Sequence, residues 1–417
     1  MSLKLNNALL TLLVLVVLTP LRVSGAQQPL MNVEQFTYEG GFRVSTKAFG
    51  QTQFHSSQYA YGIFTIDKKR NSMFLIGHPR MSNIAEFALP EIKRTANISA
   101  FDIAANIKQG FSQFHNTSRV DTGINNYFRV TGIGTYKEGL IVNYINWYDA
   151  GGTETDTTVF IEDRTQLAQS EIQGPYQLDG AAHSSGWITE VPNEWQDKFN
   201  ASHIFGNHAY SSIISRSSVG PSFFAVDLKT SPFISATSGR IHTKALLDFP
   251  LKHLLRKPHY KINNNRDAIL YNEDGKNDLW TFVSGAAYGF IVPGTRTYLT
   301  IGKSGGHESK IGYKIKRTDG SKCGGMCVKD REDAYAYYWA WDVNDLLEVK
   351  NEERLPHQIQ PYEYGKWPIP KSLGVTEISY GYFDNEENKL YLSVKDGDNI
   401  AKYSRSPIFL VYNYKSP

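Results

Sequence analysis

The sequence predicts an all-β protein folded as a β-propeller, and three observations carry that prediction. Long amphipathic helical patterns are nearly absent, and short runs rich in Tyr, Phe, Val, Ile and Thr alternate with turn signals. One pattern is also written three times: YGIFTIDKKRNSMFLIGH from Tyr61, YGFIVPGTRTYLTIGK from Tyr288 and YGYFDNEENKLYLSVK from Tyr380. Antiparallel units that repeat along a chain indicate propeller blades, since each unit buries its faces only by stacking on its neighbours. Five blades are expected. Six or seven stay open, because residues 150–205 and 228–280 have room for degenerate units.

The chain opens with a processing signature. Lys4 supplies positive charge, Ala8 to Leu18 is an apolar run too short to span a bilayer, and Ser24-Gly25-Ala26 reads as a small-residue cleavage site. Pro20 and Arg22 interrupt the run, which argues against an anchor, and no Cys follows it to carry lipid. Residues 1–26 are therefore read as a signal peptide and 27–417 as one propeller domain of a secreted protein, extracellular or periplasmic.

Within each clear copy of the repeat a strand reaches a polar turn and returns. The turns are Asp67–Ser72, Pro293–Arg296 and Asp384–Asn388. A third strand follows each hairpin: NIAEFALPEI from Asn83, YAYYWAWDV from Tyr335 and PIFLVYNYK from Pro407. Two weaker copies fit, FRVTGIGTYKEGLIVNYINWYD from Phe128 with TTVFIED after it, and SRSSVGPSFFAVD from Ser215. The aligned glycines are Gly62, Gly132, Gly220, Gly289 and Gly381. Glycine at one equivalent place suits inner strands crowding a central channel. The YAYYWAWDV cluster alternates like a packed strand and reads as core.

Bulk charge narrows the partners. Lys plus Arg is 44 against 41 for Asp plus Glu, a net charge of +3. That balance supports neither a nucleic-acid partner nor a membrane surface, both of which need a basic field, and no stable membrane insertion is expected. The two cysteines, Cys323 and Cys327, lie in KCGGMC. In an oxidising compartment a disulfide pinning the loop is expected, whereas a metal site would need two more ligands and only His307 stands near. Asn97, Asn116 and Asn200 open glycosylation triplets, relevant only in a host with that machinery.

In propellers the inner strands begin at the face where the loops between second and third strands emerge, and functional groups gather there. Three positions before the aligned pair the copies carry Gln58, Arg216, Gly285 and Glu377. Differing polar residues at one inner position point to a binding face. The loops add Gly77-His78-Pro79-Arg80, Trp147-Tyr148-Asp149, Lys303 to His307, and Lys395-Asp396-Gly397-Asp398. His183, His203, His208 and Tyr210 approach the Arg216 segment. Gln58, His78, Arg80, Lys303, His307 and Glu377 are thus the expected substrate-binding residues. The chain has no Walker loop, HExxH motif or EF-hand loop.

A secreted β-propeller with His, Tyr and Arg at the channel face resembles the polysaccharide lyases of the ulvan lyase type. The resemblance implies β-elimination on an acidic, uronate-containing polysaccharide. It implies Arg216 as carboxylate partner, His208 or His183 as base, and Tyr210 or Tyr148 as acid. Members of that family can also carry a structural metal, so the resemblance leaves a divalent ion as an implied cofactor. Two rival readings stay open. A glycoside hydrolase would draw paired carboxylates from Asp149, Glu377, Asp396 and Asp398, and a non-catalytic propeller would bind a glycan or protein through the same face. Lys, Arg and His outnumber acids at the face, which suits an anionic substrate.

Overall fold

A computed structural model describes residues 28–115, 128–207, 213–230, 238–261, 265–401 and 404–417. Residues 1–26, expected to be a signal peptide, lie outside them. Five antiparallel sheets form a ring, each sheet one blade. The inner strands are Phe64–Asp67, Phe128–Tyr136, Ile188–Glu190, Gly285–Ile291 and Tyr380–Asp384, for blades 1 to 5 in turn. Each packs beside the next, and the fifth returns to the first. The expectation of a five-bladed propeller is met, and the described residues of 150–205 and 228–280 form no sixth blade. They supply outer strands of blade 2 and most of blade 3.

The hairpins close where the sequence places polar turns. Asp67 Oδ1 accepts from the Arg70 amide, and Asp384 Oδ1 from the Glu386 and Glu387 amides, the turn-stabilising habit of Asp. Asn71 and Asn388 then take the left-handed conformation (φ +46° and +52°) that Asn tolerates. The third strands are Ile84–Ala88, Asp156–Ile161, Phe223–Val226, Ala334–Asp342 and Ser404–Tyr414. Tyr337, Tyr338, Trp339 and Trp341 are core, as expected, although burial runs on both faces rather than alternating.

Blade 3 departs from the sequence alignment. Gly220 precedes not the inner strand but Phe223–Val226, the third one. The inner strand is the three-residue Ile188–Glu190 after Trp187, too short to show a repeat, whereas PSFFAVD carries the stronger β pattern. Arg216 still reaches the predicted face, because residues 206–222 link the second and third strands of the blade.

The ring is sealed by strand exchange along the chain. Phe36–Val44 pairs antiparallel with Ser404–Tyr414, so the first strand completes the last blade. Between its third and fourth strands, blade 1 sends Asp102–Ala104 to pair parallel with Phe42–Val44 on the edge of blade 5. Blade 3 repeats the device, placing Gly239–Ile241 beside Tyr176–Leu178 on the edge of blade 2. Two sheet edges that would otherwise be bare are thereby covered.

Close approach explains two of the aligned glycines. A Cβ at Gly132 would lie 1.8 Å from the Gly186 carbonyl oxygen of blade 3, and one at Gly381 would lie 2.6 Å from the Tyr288 ring of blade 4. At this separation the blades' inner strands touch backbone to backbone, so the axis is filled. Tyr380 plugs it: its hydroxyl meets the Ile133 backbone of blade 2, and its ring packs near Phe64 and Tyr288. Two separate mouths result, an upper one where the inner strands begin and a lower one at their hairpins.

Candidate functional site

The upper mouth gathers the predicted loops, and the charged groups there link the blades in pairs. Arg216 of blade 3 donates through Nε to the Asp149 carbonyl of blade 2 at 2.9 Å and through Nη2 to that of Ala150 at 3.4 Å. The Asp149 carboxylate stands 3.8 Å from the same guanidinium. Lys303 of blade 4 pairs with Glu377 of blade 5 at 3.0 Å. Asp398 pairs with Arg43 at 3.6 Å. Three of the four carboxylates expected for a hydrolase thus already face a cation. Asp396 differs: its backbone is left-handed (φ +54°), and its buried Oδ1 has no hydrogen-bond partner among the described residues.

A cluster the sequence reading did not single out stands at the same mouth. Lys395 of blade 5 lies over the Tyr61 ring of blade 1, with Nζ 4.6 Å from its centroid. Arg129 of blade 2 approaches the same ring at 6.0 Å and the Trp147 ring at 5.9 Å. Trp147 and its neighbour Tyr148 are 36% and 51% exposed, unusually high for large aromatics in an otherwise closely packed ring. Tyr61 belongs to the repeated Tyr-Gly pair, yet it precedes its strand and is half-buried, whereas Tyr288 and Tyr380 lie within theirs and are core. That offset is invisible in the repeat. Trp147 and Lys395 were visible as members of the loop set, but Arg129 carries no sequence signal.

The remaining predicted residues divide by surroundings. Gln58 Nε2 donates to the Thr46 carbonyl at 3.1 Å and steadies its own loop. His78 sits between the Phe54 and Tyr59 rings, and its Nδ1 accepts from the Arg80 amide at 3.0 Å. Burial, helped by the Arg80 charge, holds this imidazole below its ordinary value, so His78 is a neutral donor through Nε2. The Arg80 guanidinium covers the Phe54 ring at 4.7 Å.

His307 and His183 stand away from the aromatic cluster. His307 bonds Ser304 Oγ at 2.8 Å between the Tyr335 and Tyr337 rings, and burial pulls it down to about 4. It is a packed structural histidine. His183 Nδ1 donates to Asp248 Oδ1 at 2.8 Å. Asp248 follows the outermost strand of blade 3, so this dyad belongs to the outer part of that blade. His208 and Tyr210 lie outside the described residues. Cys323 and Cys327 are disulfide-bonded, with Cα atoms 6.5 Å apart.

Among the described residues no three His, Cys, Asp or Glu side chains converge to hold a metal ion, so the implied divalent ion has no ligand set there. No described helix is long and apolar enough to cross a membrane. At the lower mouth a cavity of about 560 Å³ is lined by all five inner strands. Its buried charges are neutralised in pairs, Asp67 with Arg164 at 2.5 Å and Asp384 with Lys68 at 2.7 Å, a pattern of cohesion between blades.

No family model and no curated protein sequence matches the chain. Solved structures do. The chain is similar to the catalytic domain of the Coprinopsis cinerea GH62 α-L-arabinofuranosidase (9% identity, TM-score 0.36, covering 91% of this chain and 98% of that one). It is also similar to a protein of Bacteroides fragilis described as exported (10% identity, TM-score 0.30, covering 90% and 81%). A third, from Bacteroides ovatus and described as a hydrolase, matches at 10% identity and TM-score 0.31 over 94% and 97%.

Proposed function

We propose that the upper mouth binds a uronate-containing polysaccharide and cleaves it by β-elimination, as a secreted enzyme. The observation that supports this reading is the convergence of Lys395 and Arg129, from different blades, on the Tyr61 ring beside Trp147. Aromatic faces stack on sugar rings, and the flanking cations suit a carboxylate on the same ring. A neutral sugar would need no such cations.

The proposed chemistry follows from that placement. A cation neutralises the uronate carboxylate, which acidifies the C5 proton. A base removes this proton, C4=C5 forms as the C4–O bond breaks, and an acid protonates the leaving oxygen. Arg216, held at the mouth by the Asp149 and Ala150 carbonyls, is the proposed carboxylate partner. Exposed Tyr148, the residue before Asp149, serves as acid, with His208 and Tyr210 as the further candidates for base and acid. His183, in the outer part of blade 3, is the less suitable base by position. Hydrolysis is disfavoured because it needs two suitably spaced carboxylates, and of the four expected ones only Asp396 stands outside an ion pair among the described residues.

The test is ultraviolet absorbance of the unsaturated uronyl end, followed on a panel of uronate polysaccharides. A rise that Arg216→Ala and Lys395→Gln each reduce at least tenfold would support the reading. Reducing ends without absorbance would replace elimination by hydrolysis, and silence in both would leave a binding propeller.

A further inference from the structure

The loop between the second and third strands of blade 4 forms a two-stranded arm on the upper face. Ile311–Tyr313 pairs with Met326–Val328, and beyond them Lys316 bridges to Lys322. The Cys323–Cys327 disulfide pins the returning strand around Gly324-Gly325, and Asp333 fixes the base. The Asp333 carboxylate accepts from the His307, Glu308 and Ser309 amides and from the Ser309 and Tyr335 hydroxyls. Burial works to raise its pKa, but these bonds prevail and hold it below the ordinary carboxylate range. The arm is therefore a built element with a rigid root.

Its charge is out of proportion to the rest of the molecule. From Lys310 to Arg331 there are seven Lys or Arg and two Asp, an excess of five, while the whole chain carries only +3. The remainder is therefore net negative. Arg331 answers Asp319 at 2.8 Å, and Arg317 is spent on the Val328 carbonyl and Ser321. Lys314, Lys316, Lys322 and Lys329 are exposed, and no ion pair satisfies them among the described residues. Lys316 and Lys322 stand directly opposite each other, where like charges weaken a hairpin. A fold gains nothing internally from that pairing, but an external anion bound between the two would relieve it. Beside them Tyr313 is 53% exposed, with Lys314 at 5.1 Å over its ring.

We infer that this arm is a docking surface for a distal stretch of an anionic polysaccharide whose reacting residue sits in the upper mouth. The inference rests on the proposed function for the identity of the sugar. A sugar chain is the occupant because the arm stands on the same face as the mouth proposed to bind one, and Tyr313 offers an exposed ring face for stacking. Prior fixation of the arm lowers the ordering cost of binding.

The experiment uses the full mature chain with polygalacturonate and its trisaccharide, measured calorimetrically at about 0.02 and 0.15 M salt. The variant carries Lys314→Gln, Lys316→Gln, Lys322→Gln and Lys329→Gln together. It should lose about tenfold in polymer affinity at low salt, with a shallower salt dependence, and keep trisaccharide affinity within about twofold. Its Tm should equal or exceed that of the wild type, because the Lys316–Lys322 repulsion is gone, so loss of folding is told apart from loss of docking. Tyr313→Ala supplies an independent variant and should weaken polymer binding alone. Unchanged polymer affinity in both variants overturns the arm and leaves the mouth reading standing on the trisaccharide. Absent trisaccharide binding with a retained polymer effect supports the arm and removes the mouth reading. Preference for duplex DNA over polygalacturonate at equal charge overturns the assignment to sugar.

Discussion

Tyr380 on blade 5 and Ile133 on blade 2 share two hydrogen bonds within the axis of the ring. The phenol accepts from the Ile133 amide at 3.1 Å and donates to its carbonyl at 3.3 Å. The inner edge of an inner strand has no neighbouring strand, so this hydroxyl stands where ladder partners would. Tyr380→Phe should cost about 1–3 kcal/mol, because two buried backbone groups lose their partner. Urea unfolding monitored by tryptophan fluorescence measures it, and an unchanged midpoint would mean that another group replaces the phenol.

Gly132→Ala should be more damaging than its single methyl suggests. The new Cβ would meet the Gly186 carbonyl, a backbone atom that moves only if blade 3 moves. Overpacking of this kind costs at least about 1–3 kcal/mol. Gly275→Ala is not a fair comparison, since φ there is +70°, but Gly151→Ala is, with only Thr153 near at 3.6 Å. Thermal melts of the two variants should differ by several degrees, and equal melts would remove close approach as the reason for Gly132.

Blades 1 and 2 are joined at the lower mouth by Arg164 and Asp67, which are 7% and 4% exposed. Removing one partner of such a pair strands a buried charge, and Arg164→Met should destabilise by roughly 3–5 kcal/mol. Adding Asp67→Asn should recover part of the loss, which a double-mutant cycle in denaturant detects. Additive losses would show that the two side chains act separately.

Stability should fall as the medium is acidified below neutrality. Burial lowers His203 and His307 to about 4 from 6.5. Between those values the unfolded chain binds protons that the native chain refuses, so stability is full above about 6.5 and drains as pH falls toward 4. Each histidine contributes roughly 1–3 kcal/mol to that loss. Melting temperature against pH should flatten by about half in His203→Gln, and an undiminished slope would assign the proton uptake elsewhere.

How much of this was legible depends on whether the information is local. The hairpins at Asp67–Ser72 and Asp384–Asn388 were readable because turn chemistry lies within a few residues. The third strands were readable from their runs of aromatic and β-branched residues. Blade 3 was misaligned because a three-residue inner strand is too short for any period to register. The union of Phe36–Val44 with the carboxyl-terminal strand was not seen, since pairing across the whole chain leaves no mark in either segment alone. The same holds for the mouth. Arg216 and Tyr148 could be nominated by loop position, but the meeting of Lys395, Tyr61 and Arg129 joins three blades and exists only after the ring closes.

That late closure has a consequence for synthesis. Phe36–Val44 leaves the ribosome among the first strands, while its partner Ser404–Tyr414 emerges about 360 residues later. At about 5–20 residues per second the early strand waits roughly 20 to 70 s for its mate. Throughout that interval it is an unmatched β edge carrying Phe36, Tyr38 and Phe42, the kind of surface that recruits other chains. The newborn chain is therefore most vulnerable at the end it made first, and a chaperone's hold there would do more for yield than any stabilisation of the finished ring.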